Sequence, residues 1–234
     1  WHFRGRRIVE AVFADLRKKT GLGSMPGDHV IYGGCSAGAR GVMVTIDDFA
    51  SSPAIVGKAQ VTGLLDSGFW VPISPRTDFV DWDSFGHQMR DSMTLVNSSG
   101  LVGSECGQKY PGAEGWKCLM GAYRMRFVRT PYFMLHSQYD LFALTMNLWG
   151  HFWAAHPLSP GDHAWAEAYR KMVVRYLPEP ANHSGTVVYS PAVYIHCMCT
   201  VKQFWTIKAS GAGLSDSIQK WLTEPAAGGS KTIE

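Results

Sequence analysis

The sequence predicts an α/β-hydrolase-like fold, a largely parallel sheet flanked by helices. Three observations predict it. Short apolar strand candidates alternate with segments of helical periodicity, the pattern of successive βαβ units. A Gly-x-Ser-x-Gly motif, Gly34-Cys35-Ser36-Ala37-Gly38, stands where the strand candidate starting at His29 gives way to a helical segment, the signature of a nucleophile elbow. A chain of 234 residues, 46% hydrophobic and 18% charged, is long enough for one sizeable core.

The elements follow in order. From Arg6 to Lys19 the apolar residues Ile8, Val9, Val12, Phe13 and Leu16 recur at helical spacing, and Gly21 stands where that helix should stop. The elbow strand comes next, followed by a helix over Ala39 to Asp48. Gln60 to Leu65 reads as a short buried strand closed by a turn at Asp66-Ser67-Gly68. Pro72 to Gly86 is irregular, Gln88 to Val96 helical, and Asn97 to Gly115 loop. Thr130-Pro131 opens a second buried strand, Tyr132 to His136, and helices are expected over Leu141 to Ala155 and Asp162 to Tyr176. Thr186 to Tyr189 is a third strand candidate. Residues 1–225 read as one partial domain whose first strands lie upstream of Trp1, and the Gly/Ser-rich stretch 226–234 as a flexible tail.

Composition excludes some functions. A formal net charge of +3, with basic runs only at Arg4 to Arg7 and Arg17 to Lys19, does not point to nucleic acid, and both runs read as solvated helix ends. No apolar run approaches the length of a membrane span. Of the five cysteines, Cys106 and Cys118 bracket a turn-rich loop suited to a disulfide in an oxidising compartment. Cys197 and Cys199 are too close for easy mutual bridging and lack a zinc-knuckle spacing, and at least one thiol must stay free or pair elsewhere.

The elbow carries the chemistry. Its turn strains the central residue, and small residues on either side, Gly34 and Gly38, let strand and helix pass closely. Ser36 Oγ is then the nucleophile of acyl transfer, and the Ala37 N–H faces the oxyanion. A phosphate loop would need a Lys-Ser/Thr pair after its glycines, and none follows. In this fold the acid and base come later, beyond other strands. Asp140, just past the strand ending at His136, fits the acid, although it also fits a helix N-cap. His196, in the loop after the Thr186 strand, fits the base; His136 at a strand end competes with it. Cys35 is assigned to packing, and Trp149 and Trp153 to an apolar helix stripe rather than a sugar platform. His151 and His156, five apart, face different sides of a helix and do not suit a metal.

These stretches, together with Phe3-Arg4-Gly5-Arg6-Arg7-Ile8, Gly63-Leu64-Leu65-Asp66-Ser67-Gly68-Phe69-Trp70, Trp116-Lys117-Cys118, Thr130-Pro131-Tyr132-Phe133 and Tyr194-Ile195-His196-Cys197, resemble the pectin acetylesterase family, which includes Notum-type carboxylesterases. The resemblance implies secretion and serine esterase chemistry without a metal or cofactor, with the triad on Ser36, Asp140 and His196. Ala39 and Val193 depart from the family, standing where members often have Gly and Cys. The glycine-rich segment that supplies further oxyanion amides has no counterpart before Ser36, so only Ala37 is assigned to that hole. Cys before the serine and Cys after the histidine resemble plant-type members, which implies removal of O-acetyl groups from an acidic polysaccharide such as pectin. The alternatives are deacylation of a lipidated protein, as in Notum-type members, and a non-catalytic carbohydrate-binding relative.

Overall fold

A computed structural model describes residues 2–76, 83–151, 157–179, 185–224 and 231–233. Five parallel strands form its sheet: β1 (His29–Cys35), β2 (Gln60–Asp66), β3 (Tyr132–Leu135), β4 (Val187–Tyr189) and β7 (Lys231–Ile233), side by side in chain order. An antiparallel pair, β5 (Lys208–Ala209) and β6 (Ala212–Gly213), lies apart from it. The helices are α1 (Gly5–Thr20), α2 (Ala37–Ala50), α3 (Pro53–Val56), α4 (Phe85–Val96), α5 (Ser104–Lys109), α6 (Gly121–Arg124), α7 (Leu141–Trp149), α8 (Pro160–Tyr176) and α9 (Leu214–Thr223).

Strand alternation divides the core into two layers. Tyr132, Met134 and Val188 join residues of α2, α4, α7 and α8 in one apolar cluster. Their neighbours Phe133, Leu135, Tyr189 and Ile233 join Leu214 and Trp221 of α9 in another. The central strands β3 and β4 are therefore covered on both faces, as parallel strands require. Because all five strands run the same way, their carboxyl ends share one edge. Backbone bonds continue one step past them, from Ser36 N–H to Asp66 O (2.7 Å), Ser67 N–H to Leu135 O (2.8 Å), His136 N–H to Tyr189 O (3.0 Å) and Ser190 N–H to Ile233 O (2.7 Å). The loops leaving that edge start from a fixed platform.

Most expected elements are present, and the differences have local causes. Helix α1 stops at Gly21, whose φ of 72° places it in the left-handed region, and its last turn carries Arg17, Lys18 and Lys19, favourable at the negative end of the helix dipole. Its stripe is buried only at Phe13; Ile8, Val12 and Leu16 are exposed, as is Ile31 on the edge strand β1. Helix α7 ends at Trp149, short of the expected Ala155, because Gly150 (φ 68°) closes it. Helix α8 starts earlier than Asp162, since Ser159 and Asp162 form a capping box and Pro160 occupies the first turn. The expected loop 97–115 contains α5 and turns of tighter helix. Lys231–Ile233, within the stretch expected to be a flexible tail, pairs with β4 instead, and Ile233 is buried against the second apolar cluster. Phe152, Trp153 and His156 lie outside the described residues.

The elbow glycines differ in what they must do. A Cβ on Gly34 would lie 2.5 Å from Gly38 C and 2.8 Å from Ala39 N, so this position admits no side chain. A Cβ on Gly38 would meet nothing within 4 Å, so the smallness expected there is not required by packing. Gly34→Ala is expected to cost about 1–3 kcal/mol through overpacking. Gly38→Ala is expected to be neutral or stabilising by up to about 1 kcal/mol through helix propensity. Thermal unfolding of the two variants checks the difference, and equal losses would contradict it.

Candidate active site

Ser36 joins β1 to α2 with φ 54° and ψ −120°, a backbone conformation that a residue with a side chain adopts only at a cost of roughly 1–3 kcal/mol. The fold holds it there through the bond from its N–H to Asp66 O and the close passage of Gly34 against Gly38. Ala37 is the first residue of α2, where an N–H has no acceptor within the helix. Strain is concentrated here: of the five described non-glycine residues with positive φ, Ser36, Ser67 and Cys197 all belong to this region.

Asp140 is fully buried at the start of α7. Its Oδ1 accepts the Ala143 N–H at 2.9 Å, and its Oδ2 accepts from His196 Nδ1 at 2.8 Å. One carboxylate thus makes both contacts, one oxygen capping the helix and the other meeting His196. With a carboxylate as its acceptor, Nδ1 carries the proton and Nε2 is the basic nitrogen. The His196 ring is nearly buried and tilted against Phe142, with centroids 5.4 Å apart.

Two features that sequence reasoning missed bring this pair to the elbow. First, Cys35 is bonded to Cys197, with Cα atoms 5.6 Å apart, which corrects its assignment to packing. The disulfide links the residue before Ser36 to the residue after His196, and a His196 ring nitrogen lies within 4.8 Å of the Cys35 sulfur. Because each sulfur is taken up by the other, Cys35, His196 and Cys197 do not form a metal-binding set. Second, the turn at the end of β2 grips the backbone after His196. Ser67 Oγ accepts the Cys197 N–H at 2.9 Å and donates to Asp66 Oδ1 at 2.9 Å. The Asp66 carboxylate accepts the N–H groups of Met198 (3.1 Å) and Cys199 (2.7 Å). Burial raises the Asp66 pKa, and these hydrogen bonds oppose the rise. The signal was in the sequence as Asp66-Ser67-Gly68, which spacing alone reads as a turn.

The remaining cysteines fall into place. Cys106 and Cys118 are bonded, as expected, with Cα atoms 5.9 Å apart. Cys199 is the free thiol among the described residues. Burial, with the neighbouring Asp66 charge, pushes its pKa up to about 12, so it remains a protonated thiol at neutral pH.

His136 does not compete as the base. It is fully buried, its Nε2 faces the Tyr169 hydroxyl at 3.2 Å, and burial pushes its pKa down to about 4 from an ordinary 6.5. A histidine held neutral in the fold but protonated when unfolded contributes stability that is full above pH 6.5 and is lost as pH falls towards 4. The size is on the order of 3 kcal/mol. Urea midpoints should therefore fall between pH 7 and pH 4.5, and less steeply in His136→Gln; identical slopes would contradict this.

Comparison with known proteins identifies the family and the fold. The family model described as pectinacetylesterase matches residues 1–234. Among characterised proteins, the palmitoleoyl-protein carboxylesterase NOTUM of Drosophila melanogaster is 32% identical over 142 residues, covering 60% of this chain and 20% of its own length. Pectin acetylesterase 4 of Arabidopsis thaliana is 25% identical over 146 residues, covering 62% of this chain and 33% of its own. The crystal structure of the Wnt deacylase Notum from Drosophila superimposes with a TM-score of 0.80 at 25% identity, covering 97% of this chain and 61% of that one. This chain thus spans less than two thirds of the length of these relatives, and the shared fold is that of an α/β-hydrolase. A match along every residue decides its membership: the chain belongs to the pectinacetylesterase family.

Proposed function

We propose that this chain carries the triad of a serine carboxylesterase that removes O-acetyl groups from an acidic polysaccharide such as pectin. Ser36 Oγ attacks the ester carbonyl while His196 Nε2 takes its proton, and the Ala37 N–H stabilises the oxyanion. The tetrahedral intermediate collapses, His196 returns the proton to the departing sugar hydroxyl, and acetyl remains on Ser36. Water, deprotonated by His196, then attacks this ester and releases acetate. Throughout, Asp140 stays ionised, holding the ring in its Nδ1–H tautomer and stabilising the imidazolium. The observation that carries this reading is the His196–Asp140 pair at 2.8 Å, tied by the Cys35–Cys197 disulfide to the strained elbow serine. Two disulfides also support a site of action outside the reducing cytosol, as expected of a secreted enzyme.

A second reading, deacylation of a lipidated protein, is favoured by the likeness to Notum proteins in sequence and structure. Against it, the two cysteines that form the disulfide beside the elbow are those in which the chain resembles plant-type members. A panel of p-nitrophenyl esters separates the readings. For an acetylesterase, kcat/KM should be highest for acetate and fall at least about tenfold by octanoate, since each misplaced methylene costs about 1–3 kcal/mol. A maximum at long chains would favour the deacylase instead.

A further inference from the structure

Three arginines with buried or half-buried side chains show what this fold does with a guanidinium. Arg124 donates to three carbonyls, those of Met43 (3.1 Å), Val44 (3.1 Å) and Val102. Arg76 pairs with Asp162. Arg40 is treated differently. Its planar fork offers five N–H donors, yet its contacts are a long 3.4 Å bond to Leu119 O, the Met89 sulfur, and the face of Trp70, 4.1 Å from the ring centroid. No carboxylate pairs with it among the described residues. A cation removed from water without a counter-charge is costly, and burial has already lowered its pKa to about 10. The guanidinium is still charged at neutral pH.

An indole donor without an acceptor adjoins it. Trp70 is 6% exposed, and its buried Nε1 has no hydrogen-bond acceptor among the described residues. Among the described residues the Arg40 guanidinium thus lacks a counter-charge and the adjoining indole N–H an acceptor, and a carboxylate supplies both negative charge and acceptor atoms.

The position is next to the candidate active site. Arg40 lies one helical turn after Ser36, with its N–H bonded to Ser36 O at 3.1 Å. From Trp70 the aromatic rings continue to Phe142 (5.8 Å) and from Phe142 to His196 (5.4 Å). Arg40 itself is half-buried, so a ligand reaching the elbow can meet it.

We propose that Arg40 and Trp70 form a carboxylate subsite beside Ser36, which binds the anionic group of an acidic sugar ester. The guanidinium fork takes the carboxylate of a uronic acid residue, with the Trp70 indole N–H as a further donor, while the acetyl ester of the sugar lies at Ser36. The placement of the ester rests on the esterase reading above; the recognition of the carboxylate does not.

The test uses a substrate pair differing in one charge: acetylated methyl galacturonoside as the free acid and as its methyl ester. The full chain should favour the acid in kcat/KM by roughly 10- to 100-fold, the worth of a hydrogen bond to a charged group. In Arg40→Met this ratio should fall to near one, and Arg40→Lys, which keeps the charge without the fork, should retain part of it. An unchanged ratio in Arg40→Met would overturn the subsite. If neither compound is hydrolysed by the unaltered chain, the esterase reading fails, and calorimetric binding of galacturonate trimer against its methyl-esterified form tests the subsite alone. Selective binding of the acid, lost in Arg40→Met, supports it; equal binding of both forms by the unaltered chain overturns it. Should Arg40→Met fail to fold, Arg40→Lys and the binding comparison on the unaltered chain decide the matter in the same way.

Discussion

Asp140→Asn is expected to lower kcat for ester hydrolysis about 10⁴-fold while leaving stability almost unchanged. In the proposed triad the two carboxylate oxygens have separate duties, and asparagine can perform only one of them. As a helix cap, asparagine is as good as aspartate, so the bond to the Ala143 N–H survives. Towards His196 it is not equivalent: a neutral amide no longer stabilises an imidazolium, and its NH₂ group can donate to Nδ1 and impose the wrong tautomer. Asp140→Ala should lose both duties, with a similar fall in kcat and a further loss of about 0.5–2 kcal/mol of stability from the missing cap. Steady-state kinetics and thermal unfolding on the same preparations check both. Full activity in the asparagine variant would reduce Asp140 to a cap.

Much of this architecture was legible because its signals are local. Helix stops at Gly21 and the strand-turn-helix pattern around Ser36 depend on neighbours within a few residues. Asp140 was legible too, but as a choice between cap and acid; sequence cannot show that one carboxylate serves two partners, since the second lies 56 residues away in the chain. The Cys35–Cys197 bond spans 162 residues and depends on how the loop after β4 reaches the end of β1, which no spacing rule encodes. The same loop makes Asp66 important. As a sequence feature, Asp66-Ser67-Gly68 is a turn, whereas in the fold its carboxylate anchors amides more than 130 positions later. Strand β7 illustrates a third limit: three residues beside a Gly/Ser-rich stretch acquire a strand only because β4 offers an unpaired edge. The misreading of Gly38 has the opposite cause, a motif rule taken for a packing need that falls on Gly34 alone.

Ser36→Ala should reduce kcat about 10⁶-fold, because removing the nucleophile abolishes the covalent route and leaves only binding and the oxyanion contact. The strained elbow should persist, since alanine keeps the Cβ and the backbone bonds to Asp66 and Arg40. The most direct measurement is therefore of the intermediate itself. The unaltered chain is mixed with p-nitrophenyl acetate, quenched in acid before deacylation, digested and analysed by mass spectrometry. Acetyl on the peptide containing Ser36, at that serine and absent from Ser36→Ala, is the predicted result. Turnover of the ester with no acyl group on Ser36, or undiminished activity in Ser36→Ala, would contradict the serine esterase account.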